Sequence, residues 1–120
     1  MRINLEYNNL INRLLNDIPQ IRPMYEEEIE WLEEDLPHVI FGIIVTPFII
    51  KQLQENQKVT TLFDFLEEMA LCNDEKVQEV LVVSVLELLI TEREIIDLAK
   101  NMMGNRTKQL CTVTEKAYGY

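Results

Sequence analysis

The sequence predicts an all-α domain, and three observations carry the prediction. Apolar residues recur at helical spacing, with Ile3, Tyr7, Leu10, Ile11, Leu14, Leu15 and Ile18 early in the chain and Leu62, Phe65, Leu66 and Met69 in its middle. Prolines and capping residues punctuate these stretches at short intervals. One run, 39–45, is rich in β-branched and aromatic residues and competes as a strand, but no second strand-like run exists to pair with it. The expectation is a single domain over residues 1–120 with six or seven short helices, in HEAT-like stacked pairs or an irregular bundle. A chain of 120 residues that is 48% apolar, with three Gly and four Pro, is long enough to bury a core and too poor in breakers to be disordered.

The elements follow in order. The first helix carries one apolar stripe and breaks between Pro19 and Pro23, and Pro23 suits the first turn of the next helix. That second helix is acidic. Its residues Tyr25, Ile29, Leu32 and Leu36 fall at i, i+4, i+7 and i+11, which predicts a buried stripe ending at Pro37. Thr46-Pro47 reads as a cap and first helical residue, dividing a short buried segment at 38–45 from a helix at 47–55. His38 is expected to cap or hydrogen-bond at a helix start. A helix from Thr60 and a long one at 74–90, capped by Asn73, come next; the latter is apolar nearly all round from Val80 to Ile90, as the centre of a bundle is. Within it, Glu87 is the acid expected to be buried, meeting a helix end, Arg93 or Arg106. "TERE" (91–94) reads as a capping box for a helix to Met102, Gly104 as its left-handed end, and Asn105 as the cap of a last helix with a weak Thr-rich end.

Charge narrows the class of partner. The net charge is −10, and residues 1–35 hold nine acids and three bases, net −6. Such a chain repels nucleic acid and anionic membrane and attracts basic partners. No signal-peptide pattern opens the sequence, and the longest apolar run, Val39 to Ile50, is shorter than the ~20 residues of a spanning helix. Cys72 and Cys111 have no metal-type spacing and suit reduced thiols, so a cytoplasmic protein is expected.

Chemistry that would mark an enzyme is missing from the pattern. There is one histidine, and no metalloprotease, calcium-loop, phosphate-cradle or nucleophile-elbow motif occurs. Adjacent acids such as Glu67 and Glu68 point to different faces of a helix and do not pair. The reading is a non-enzyme with no catalytic residue, no metal site and no cofactor.

Four stretches, "LPHVIFG" (36–42) running into "PFIIKQL", "FDFLEEMA" (63–70), "VQEVLVVSVLE" (77–87) and "MGNRTKQL" (103–110), resemble a family of small acidic all-helical bacterial proteins of unknown function. The chain also resembles, in type and without a shared motif, the immunity proteins of bacterial toxin and contact-dependent growth inhibition systems. That resemblance implies a partner: a cognate toxin domain, basic, with a nuclease such as an RNase foremost. Trp31 lies off the buried stripe of the acidic helix at 100° per residue, so Glu27, Glu30, Trp31, Glu34 and Asp35 are the candidate partner-binding residues. Against this stands packing of Trp31 beneath the first helix or the C-terminal segment, with the acids a plain solvated face. The alternative function is a non-catalytic regulatory or adaptor domain, or a homodimer closing over the Trp31 face.

Overall fold

A computed structural model of the chain describes residues 3–32 and 36–120. Seven helices and no strand occur among them: α1 (Leu10–Asp17), α2 (Arg22–Ile29), α3 (Pro37–Gln54), α4 (Thr60–Leu71), α5 (75–89), α6 (Ile96–Met102) and α7 (Asn105–Ala117). Turns of 3₁₀ helix lead into α1 and α2. The arrangement is an irregular bundle rather than a regular stack. Its Cα radius of gyration, 13.6 Å, is what one compact domain of this length has.

The bundle is organised around α5. Val77, Val80, Leu81, Val85, Leu86 and Leu89 on this helix are fully buried, as its nearly all-round apolar pattern requires. Val83 and Leu88 remain partly exposed, so one narrow face reaches the surface. Helices α3, α4 and α7 pack on α5, and α1 closes the core against α4 and the start of α3. The α1 stripe is buried from Leu10 to Ile18, whereas Ile3 is exposed and Leu5 takes an inward place instead.

The predicted division at Thr46 is overturned. Thr46 has helical angles (φ −64°, ψ −48°), and α3 runs unbroken for 18 residues with one π turn at Phe41–Val45 just before Pro47. A proline inside a helix lacks an N–H and crowds the preceding turn, and a widened turn accommodates it. Thr46, freed from capping, is buried and donates its hydroxyl to the Ser84 carbonyl at 2.6 Å. Ser84 lies in a second π turn, Val82–Leu86 of α5, and the two π turns pack on each other. A widened turn in each helix is thus tied to the other by a buried hydrogen bond. By length and composition α3 is apolar enough to cross a membrane; here Ile40, Phe41, Val45 and Ile49 on it are fully buried in the protein core. At its C-terminal end Asn56 adopts φ 58°, and the Gln57 N–H reaches back to the Gln52 carbonyl, a left-handed helix stop.

Several expected caps are replaced by partners distant in sequence. Asp74, not Asn73, caps α5: one carboxylate oxygen accepts from the Lys76 N–H, the other from the Tyr7 N–H at 2.9 Å, stitching the N-terminal strap to α5. The "TERE" box does not form. Thr91 donates to the Leu88 carbonyl and closes α5, and α6 begins only at Ile96. Gly104 is extended (φ −68°, ψ 170°), not left-handed, and Asn105 is the first residue of α7 rather than its cap. The cap comes from α4: the Glu67 carboxylate accepts from the backbone N–H groups of Arg106 and Thr107 and from the Thr107 hydroxyl. A Cβ on Gly104 would fall 2.4 Å from Glu67 Cδ. The glycine therefore makes room for the capping carboxylate. Gly104→Ala is expected to lower stability by about 1–2 kcal/mol, the value of a lost cap. In urea titrations it should add little to Glu67→Ala, since both remove the same interaction.

The buried acid is Glu115, not Glu87. Glu87 is half-buried and accepts from the Tyr118 hydroxyl at 2.8 Å. Glu115 is 6% exposed and held by Arg93 at 2.9 Å and by Lys100. The Arg93 guanidinium also lies 4.4 Å from the centre of the Tyr120 ring, so the C-terminal turn is clamped and the Thr-rich end of α7 stays helical to Ala117. Burial alone would push the Glu115 carboxyl up, but the hydrogen bonds and charges of Lys100 and Arg93 outweigh it and hold it below the usual range. A carboxyl lowered on folding stabilises above its unfolded pKa and loses that contribution as pH falls through its folded value. The stability difference between the native chain and Glu115→Gln should therefore shrink as pH falls below the ordinary glutamate value of 4.5. Comparing the two by denaturation removes the general relief of self-repulsion that acidification brings to so acidic a chain.

Candidate partner-binding surface

The acidic helix is short and held from one side. Pro23 sits in its first turn, and α2 ends at Ile29 rather than continuing to Pro37. Glu30 keeps helical angles, and the Trp31 N–H bonds the Glu28 carbonyl at 3.0 Å in a tightened last turn. The predicted buried stripe is shallower than its spacing implies. Tyr25, Ile29 and Leu32 are only half-buried, Leu36 is 46% exposed, and α2 contributes no fully buried side chain. The helix lies on the core, with Met24, Tyr25 and Leu32 against it, rather than within it.

Trp31 is 81% exposed and packs beneath nothing. Glu27 and Glu30 are exposed as well; Glu34 and Asp35 lie outside the described residues. No cation among the described residues pairs with Glu27, Glu28 or Glu30, and the exposed Arg22 reaches only Glu26, at 4.0 Å. The predicted residues are not all on one side. At 100° per residue Met24, Glu27, Glu28 and Trp31 form one row, while Glu30 points well away from Trp31. Helical phase thus sets Glu30 apart from Trp31 and adds Met24 and Glu28 to the row of Glu27 and Trp31.

A groove of about 320 Å³ separates this row from α3. Met24, Glu27 and Glu28 form one wall; Ile43, Pro47, Phe48 and Lys51 form the other. Ile43 is 44% exposed and Pro47 is exposed, an unusual outward face for a core helix. Residues 43, 47 and 51 are spaced i, i+4 and i+8, a row that exists only in an unbroken helix. Dividing the run at Thr46 hid it, and helical angles at that one residue reveal it.

Elsewhere the polar groups serve the fold. His38 Nε2 lies 3.7 Å from a Glu79 carboxylate near the start of α3. The half-buried Cys72 thiol donates to the Leu5 carbonyl at 2.9 Å. Cys111 is fully buried, and burial, then the nearby negative charge of Glu115, pushes its thiol up, so it stays protonated. Among the described residues no group of three His, Cys, Asp or Glu side chains is placed to hold a metal ion. No curated protein and no solved structure matches the chain significantly. The model of one family, a domain of unknown function, matches residues 11–119, nearly the whole chain, and by that match the chain belongs to the DUF7674 family.

Proposed function

We propose that this chain is a cytoplasmic immunity protein that binds and neutralises a cognate bacterial toxin domain, a basic nuclease foremost, without catalysis of its own. The observation that carries the reading is Trp31, an 81% exposed tryptophan in the turn that follows α2 and its unpaired Glu27 and Glu28 carboxylates. Exposed aromatics with polar surroundings are the usual anchors of protein interfaces. A nuclease site is cationic because it holds phosphate, and carboxylates complement it. Opposite net charges also speed encounter, and this chain carries −10. A second copy on the same face would set those carboxylates against their own symmetry mates, which favours a basic partner over a homodimer.

The test is co-expression with the toxin domain encoded beside the gene, followed by binding measurements on the purified pair. Protection of the cell is expected, with a one-to-one complex whose association rate falls between roughly 0.05 and 0.3 M salt. A toxin that still kills, and no complex at micromolar concentrations, would falsify the reading.

A further inference from the structure

The α2–α3 groove has a chemistry that selects its occupant. Its walls are apolar at Ile43, Pro47 and Phe48 on α3 and at Met24 on α2. Glu27 and Glu28 belong to the α2 wall and Lys51 to the α3 wall, so the lining carries two negative charges against one positive. An apolar trough with two carboxylates on one wall matches a side chain that has an aliphatic stem and a cationic, donor-only head. Trp31, in the turn after α2, continues the Met24–Glu27–Glu28 row by helical phase.

We propose that this groove receives an arginine or lysine side chain of the protein partner, its stem on Ile43, Pro47 and Phe48 and its head on Glu27 and Glu28. The proposal rests on the partner reading above and specifies it: recognition is by insertion of a basic side chain, with Trp31 at the end of the same row, rather than by diffuse attraction to the acidic surface. Glu30, off that row, takes no part in it.

n-Butylguanidinium is a probe for the inserted side chain, and n-butylurea is its neutral counterpart. Titrated into the full chain carrying methyl labels, n-butylguanidinium should shift the Ile43 and Met24 methyl signals in a saturable way. n-Butylurea should bind about threefold or more weakly, the worth of an exposed charge pair. The double variant Glu27→Gln/Glu28→Gln should abolish that preference, and Glu30→Gln should leave it. Equal shifts with the two probes, or shifts confined to other methyls, would overturn the groove assignment. The partner reading fails separately: if the probe behaves as expected and the neighbouring toxin domain does not bind, the groove stands and the immunity function falls. If the toxin domain binds and the probe never reaches Ile43 and Met24, the function stands and the insertion is wrong.

Discussion

Phe41→Ala is expected to destabilise the domain by about 3–5 kcal/mol, the usual range for removing a buried aromatic ring. Phe41 is fully buried and opens the π turn of α3, which packs on the π turn of α5. Loss of the ring would empty space where the two helices meet, and collapse into it would pull on the Thr46–Ser84 hydrogen bond. A domain of this size has a total stability of about 5–15 kcal/mol, so the variant should sit near the edge of folding. Urea unfolding of native and variant chains measures the difference. A loss below about 1.5 kcal/mol would mean that the junction of the two π turns is not the centre of the core.

Trp31→Ala should separate folding from binding. The side chain is 81% exposed, so its removal should leave stability within about 0.5 kcal/mol of the native chain. Affinity for the toxin domain should fall by about 2 kcal/mol or more, roughly thirtyfold, as for a central aromatic anchor. Calorimetric titration together with thermal unfolding measures both. Unchanged affinity would remove this face from the interface. A drop in stability above about 1.5 kcal/mol would show that the ring covers core.

The two variants act on helices that differ in how deeply they are held. Helix α3 is fixed by fully buried residues from Ile40 to Ile49, whereas α2 has none and touches the core with half-buried side chains. A surface element held this lightly can adjust to a partner at small energetic expense to the rest of the domain.

The sequence by itself determined the helical class, the burial of the centre of α5, the inward face of α1 from Leu10 to Ile18, and the displacement of Trp31 from the apolar stripe of α2. Each is written in spacing, and helical spacing relates residues no more than a few turns apart. Tertiary structure decided the rest. It kept Thr46 helical because its hydroxyl has a partner 38 residues away at Ser84, and it put the cap of α7 on Glu67, 39–40 residues upstream. It buried Glu115 rather than Glu87, because Arg93 and Lys100 converge on the former. In each case a polar group had several local roles open to it, and the choice fell to whichever donor or acceptor packing brought within reach. The groove beside Trp31 belongs to the same class: its two walls come from helices whose facing residues are set by how α2 and α3 lie on the core, which no local pattern encodes.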